Sequence, residues 1–179
     1  MRKANAAGLI PATAFLAAAA IAAEPPAAAE APAAADPKSG FGWLAMVAGS
    51  CWHGEYPKGG GDTQCYEWQY GRYLRGTIEI EMAGKDGAPS KLAGDSVFDW
   101  DAKSGRIRYS NWADIGSLQH GEAYYENGVL RFPDVKSRDE EPRTRSSWRR
   151  IDADAFEVTR ERRDGAAWVA EFSVTYRRR

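Results

Sequence analysis

Residues 64–82, QCYEWQYGRYLRGTIEIEM, alternate twice around a glycine. Tyr66, Trp68 and Tyr70 fall on one side of the first run, and Cys65, Glu67 and Gln69 on the other. Leu74, Ile78, Ile80 and Met82 oppose Arg75, Thr77, Glu79 and Glu81 in the second. Successive side chains on a β-strand point to opposite faces, so each run reads as a strand with one dry and one wet face. That is the pattern of an antiparallel sheet with a covered interior.

The same rhythm extends from residue 50 to the end. Strands are expected at 50–56, 64–70, 73–82, 92–100, 106–112, 117–125, 129–135, 144–151, 156–162 and 168–177. Turn signals separate them, among them Lys58–Asp62, Gly84–Gly87, Lys103–Gly105, Glu126–Gly128 and Asp152–Asp154. Asn127-Gly128 and Asp164-Gly165 are favourable two-residue hairpin turns, because both positions tolerate positive φ. In the last strand Trp168, Ala170, Phe172, Val174 and Tyr176 are assigned to one dry face. Only Phe41–Ala48 reads as a short helix. Short hairpins throughout favour one antiparallel up-and-down β-barrel of about ten strands, which leaves no open edge. The fold class is all-β, with a short N-terminal helix.

Upstream, Arg2 and Lys3 precede an apolar run, Ala4–Ala23, that ends in small residues at Ala20-Ile21-Ala22. These are the zones of a secretion signal, assigned to residues 1–23. Pro11 and the weakly apolar alanines argue against an uncleaved membrane anchor, so no transmembrane segment is expected in the mature form. The next cysteine is Cys51, which argues against a lipid anchor at the cleavage point. Residues 24–40 are Pro/Ala-rich and acidic, without a large apolar side chain, and read as a disordered spacer. The barrel domain is assigned to residues 41–179, and the compartment is periplasmic or secreted.

Loss of Arg2 and Lys3 from 24 basic residues leaves 22 against 25 acidic, a net charge of −3. No global basic excess exists to hold phosphate backbones, so nucleic acid is not an expected partner. Arg143, Arg145, Arg149 and Arg150, diluted by neighbouring acids, read as a solvated face. Cys51 and Cys65 flank a Gly-rich turn centred near residue 58. In a hairpin they lie almost opposite, with Cβ atoms about 4.5–5.5 Å apart, close enough for a structural disulfide. Closing so short a loop stabilises a domain by ~3 kcal/mol in the chain-entropy treatment. No metal site is expected, since the pair lacks CxxC spacing and further ligands.

The stretch Trp43-Leu44-Ala45-Met46-Val47-Ala48-Gly49-Ser50-Cys51-Trp52-His53-Gly54-Glu55 resembles the opening of calycin-type (lipocalin-like) barrels. There a short apolar helix leads into Gly-x-Trp-x-Gly on the first strand. The likeness is nearest to secreted bacterial calycin-like domains and weaker to haem-binding nitrobindin-like barrels. It implies that Trp52 plugs one barrel end and that Arg177, or Arg178, covers it. This chain carries one extra residue, so its signature is Gly-x-x-Trp. Nitrobindin-like barrels hold haem through a late histidine, and no histidine follows His120, so no cofactor is expected.

Seven Trp and eight Tyr suit either a packed core or a pocket wall. Leu118, His120, Glu122 and Tyr124 alternate together, as do Ile107, Tyr109 and Asn111. If these faces point inward, Asn111, His120 and Glu122 form a polar patch in an aromatic lumen beside Tyr66, Trp68 and Tyr109. The alternative has Ala123 and Tyr125 inward and His120 at the surface. His53 is expected to face away from Trp52. No Gly-x-Ser-x-Gly, His-Glu-x-x-His or phosphate-loop motif occurs, and Gly59-Gly60-Gly61 reads as a hairpin turn. The expected function is binding of a small apolar or amphipathic molecule. An enzyme using His120 and Glu122, and an envelope interaction module, are the alternatives. Expression in a Gram-negative host followed by N-terminal sequencing of the periplasmic product should find a chain beginning at Ala23 or Glu24; a retained Met1 would overturn the leader assignment.

Overall fold

The computed structural model describes residues 36–83, 88–137 and 144–179. The expected leader, most of the spacer and Arg143 lie outside them. A 3-10 helix, Pro37–Val47, precedes ten strands: β1 Ser50–Glu55, β2 Gly60–Gln69, β3 Tyr73–Ala83, β4 Pro89–Asp101, β5 Arg106–Ala113, β6 Leu118–Glu126, β7 Val129–Ser137, β8 Thr144–Arg150, β9 Ala155–Asp164 and β10 Ala167–Arg178. Each strand pairs antiparallel with its sequence neighbours, and β1 closes the barrel against β10. The architecture is consistent with a calycin-like fold.

The helix begins at Pro37, inside the stretch read as spacer, and breaks at Gly42 (φ 52°). Two glycines let it lie flat on the barrel end. A Cβ on Gly40 would meet the Trp100 ring at 2.1 Å, and one on Gly42 the Tyr125 ring at 2.9 Å. Phe41, Leu44 and Val47 are fully buried. Trp43 donates from Nε1 to the Gly128 carbonyl at 3.1 Å, and the Tyr125 hydroxyl donates to the Phe41 carbonyl at 2.7 Å. This end of the lumen is therefore a lid of helix on aromatic rings.

Beneath the lid sits Trp52, with no exposed surface. Its Nε1 donates to the Val47 carbonyl at 3.0 Å, and its ring meets Phe156 edge-on at 5.2 Å. The guanidinium of Arg178, not Arg177, lies 4.8 Å above that ring. Arg178 also bonds the Ser50 hydroxyl (2.8 Å) and pairs with Asp154 (2.9 Å). Alternation explains the correction: Arg178 pairs in register with inward Trp52, whereas Arg177 pairs with outward His53. At the extra residue of the signature, Gly49 takes φ 76° and donates its N–H to the Tyr66 carbonyl at 2.7 Å.

Cys51 and Cys65 stand in register on β1 and β2 and form the disulfide. Strand β2 starts earlier than its turn-like glycines imply. Gly61 is paired with both β1 and β3 and Gly60 with β3, and only glycine fits: a Cβ on Gly60 would lie 2.1 Å from the Glu81 carbonyl oxygen. Tyr70, assigned to a dry face, leaves the strand with φ 53° and is 94% exposed.

In β10 the expected single face is broken by a register shift between Ala170 and Phe172. Phe172, Val174 and Tyr176 point inward, whereas Trp168 lies outside beneath the Arg145 guanidinium at 4.8 Å. Arg145 also pairs with Glu161 (2.5 Å), and Arg149 with Glu157 (2.9 Å), so the basic cluster is a cross-strand ion-pair face. Exposed pairs of this kind contribute about 0–1 kcal/mol each. Trp52 carries far more: Trp52→Ala should destabilise the domain by about 3–5 kcal/mol, measured by urea unfolding, through lost burial and an unfilled cavity.

Candidate functional site

Away from the lid, the inward faces become polar. On β2 the sequence Asp62, Gln64, Tyr66 alternates inward, and all three side chains are buried. Tyr176 on β10 donates to Asp62 Oδ2 at 3.0 Å, and Gln64 Nε2 donates to the same oxygen at 2.8 Å. Tyr66 in turn donates its hydroxyl to Gln64 Oε1. Tyr56, just past β1, adds a third phenol beside Asp62 and Tyr176. One carboxyl thus sits inside a ring of amide and phenol donors.

Electrostatics follow from the burial. Desolvation raises the Asp62 carboxyl above its ordinary value, against the opposing effect of the Gln64, Tyr176 and Tyr56 hydrogen bonds and the nearby charge of His53. Burial, followed by the Asp62 charge, also raises the hydroxyls of Tyr56, Tyr66 and Tyr176, which keeps all three as donors at neutral pH. At the lidded end burial alone pushes Tyr125 up to about 12.

Among the described residues, three buried side-chain atoms have no hydrogen-bond partner: Asp62 Oδ1, Asn111 Oδ1 and Arg160 Nε. Arg160 Nε nevertheless lies 3.1 Å from Glu171 Oε2, an ion pair out of hydrogen-bond alignment. All three residues line one lumen cavity of about 210 Å³, walled by Phe98, Tyr109, Phe132, Trp148 and Phe172. Leaving a buried acceptor unpaired costs about 1–3 kcal/mol, so two on one cavity mark a place built to meet something polar. A larger cleft of about 970 Å³ shares Tyr56, Asp62 and Ile80 with this cavity and opens at the barrel rim. It is lined by outward Glu79 and Glu81 as well as inward Asp62 and Ile80, so it borders the cavity from the rim and the outer face.

Sequence-expected residues divide unevenly over this geometry. Tyr109 and Asn111 line the cavity. Tyr66 is buried inward and reaches it only through Gln64. Trp68 points inward at the lidded end, edge-on to Phe41 at 5.0 Å. His120 and Glu122 are exposed on the outer face, and Glu122 pairs with Arg106 at 3.6 Å. The inward positions of β6 are Gln119, Gly121, Ala123 and Tyr125, set by register with Asn111, Tyr109 and Ile107. Gly121 stands opposite the Tyr109 ring and Ala123 opposite Ile107, small residues against buried large ones. His53 faces outward to the Thr63 hydroxyl at 3.1 Å.

Neither histidine reaches the lumen, so the residues present do not fit a haem held through imidazole. Among the described residues no group of three or more His, Cys, Asp or Glu is placed to hold a metal ion. Asp62 escaped the sequence reading because Lys58–Asp62 looked like a turn, and Gln64, though placed in the expected strand 64–70, was given no role. The available signal was their two-residue spacing from Tyr66 and Trp68. No protein-family profile matches the chain, and no curated protein is significantly similar to it.

The raised Asp62 carboxyl sets a pH dependence of stability. A native state that holds its proton to higher pH than the unfolded chain is most favoured below the unfolded value and loses that advantage as pH rises. Asp62→Asn removes the ionisable group while keeping an acceptor for Gln64 and Tyr176. The melting temperature of Asp62→Asn minus that of the wild type should therefore increase from pH 4 to pH 8 in calorimetric scans. A constant or shrinking difference would contradict the assigned burial.

Proposed function

We propose that the protein is an exported, calycin-like binding protein that holds a small amphipathic molecule in its lumen, against aromatic walls on one side and a polar cluster on the other. The observation that carries this reading is the partly open lumen cavity lined by both Asp62 and Asn111, whose side-chain oxygens have no partner. Such a combination of an apolar concavity with a few placed polar groups is how small-molecule sites are built. The disulfide and the expected leader suit an oxidising compartment. Among the described residues no helix is long and apolar enough to cross a membrane.

Size narrows the ligand. The cavity, at about 210 Å³, falls below the roughly 300–1,000 Å³ of drug-sized pockets. The acid/base reading built on His120 and Glu122 has no support from a lumen that neither side chain enters.

Native mass spectrometry of the mature protein, purified from the periplasm without detergent, tests the proposal. The expected result is a reproducible added mass that leaves on denaturation, over a chain two hydrogens lighter than its reduced form. A bare polypeptide mass in every preparation, with no saturable binding of small molecules added back at millimolar concentration, would overturn it in favour of an interaction module.

A further inference from the structure

We propose that the lumen cavity takes a neutral polyhydroxyl compound of single-ring size, whose hydroxyls meet Asp62 Oδ1 and Asn111 Oδ1 while its carbon face lies on the aromatic wall. This rests on the binding reading and specifies the ligand's chemistry.

Three features of the cavity select the class. First, its polar groups are mixed. Asp62 Oδ1 and Asn111 Oδ1 are unpartnered acceptors in the side chains as placed, and the hydroxyls of Thr144 and Ser146 line the same space. A hydroxyl is both donor and acceptor, so a ring bearing several of them can answer every one of these groups. Second, the match survives a change in Asp62, which is 4% exposed. A ligand hydroxyl donates to the carboxylate and accepts from the carboxylic acid, and burial favours the acid. An ammonium offers donors only and requires the charged carboxylate that burial disfavours. A ligand carboxylate would set an acceptor against Asn111 Oδ1 and would carry its charge into a largely apolar cavity. The two cations bordering the cavity, Arg145 and Arg160, are paired with Glu161 and Glu171, so no net positive charge remains there to draw an anion.

Third, shape and wall fit a ring. At ~30 Å³ per water the cavity holds the equivalent of about seven waters, the scale of one small ring with its substituents. Phe98, Phe132, Trp148 and Phe172 offer flat apolar faces for C–H groups opposite the polar side. The cavity is itself partly open to solvent, and it shares Tyr56, Asp62 and Ile80 with the larger cleft at the rim.

The test is NMR titration of the disulfide-bonded mature protein, following the side-chain amides of Asn111 and Gln64 and the Trp148 indole. The probes are glucose, galactose and myo-inositol, set against butylamine, butyrate and decanoate. At least one ring polyol should shift these signals saturably, with a Kd of about 1 mM or tighter, and Asn111→Leu should weaken it at least tenfold. Asp62→Asn, nearly isosteric and neutral, keeps a donor and an acceptor and should retain polyol binding within about threefold; a loss as large as that of Asn111→Leu would contradict recognition by a hydroxyl of a neutral Asp62. Saturable shifts with butylamine, butyrate or decanoate but with no polyol would overturn the polyol assignment and leave the binding reading standing. No shift with any probe, joined to a bare mass in the native spectrum, would remove both.

Discussion

The barrel depends on the inward placement of Trp52 at its closing seam. Strand β1 has six residues and meets β10 over only three register pairs, Trp52 with Arg178, His53 with Arg177 and Gly54 with Tyr176. So short a ladder has little hydrogen bonding with which to define its own register. Side chains supply the definition: Trp52 fills the lidded end, Arg178 covers its ring, and the Cys51–Cys65 bridge ties β1 to β2. A slip of one residue would turn Trp52 to solvent and His53 into the core, exchanging every face along the strand.

From that parity the rest of the lumen follows. With Trp52 inward, β2 must turn Gln64 inward as its register partner, and Asp62 and Tyr66 with it. Tyr176 faces inward beside Gly54, where a Cβ would lie 2.5 Å from Val174 and 2.9 Å from the Tyr176 ring. The glycine is therefore the space that lets this phenol reach Asp62. Stability and site are built from the same alternation. One end of the lumen is packed with Phe41, Leu44, Trp52 and Phe156, and the other keeps polar groups around a cavity.

Much of this was legible in the sequence because the physics is local. Alternation in residues 64–82, the glycine punctuation and the cysteine spacing each constrain near neighbours, and the ten-strand barrel and the disulfide follow from them; the plugging tryptophan was implied by the calycin-like resemblance of residues 43–55. What escaped depends on partners distant in sequence. Strand β6 alternates plausibly either way, with Leu118 and Tyr124 on one face and Ala123 and Tyr125 on the other. Only the rings of β5 and the lid decide between them, and they send His120 and Glu122 outside. In β10, one residue inserted at Glu171 reverses Trp168 relative to Phe172, and nothing in the local pattern marks it. Asp62 was hidden differently: three glycines beside it mimic a turn, yet Gly60 and Gly61 are there because neighbouring backbones approach too closely for a Cβ.

The central claim is that the rimward half of the lumen is a polar cavity organised by buried Asp62, not a collapsed core. A high-resolution crystal structure of the mature protein tests it most directly. The account predicts ordered density, from ligand or water, within hydrogen-bond reach of both Asp62 Oδ1 and Asn111 Oδ1, with Tyr176 and Gln64 still donating to Asp62 Oδ2. Asp62 turned out to bulk solvent, with Phe172 and Trp148 closed over the vacated space, would contradict it.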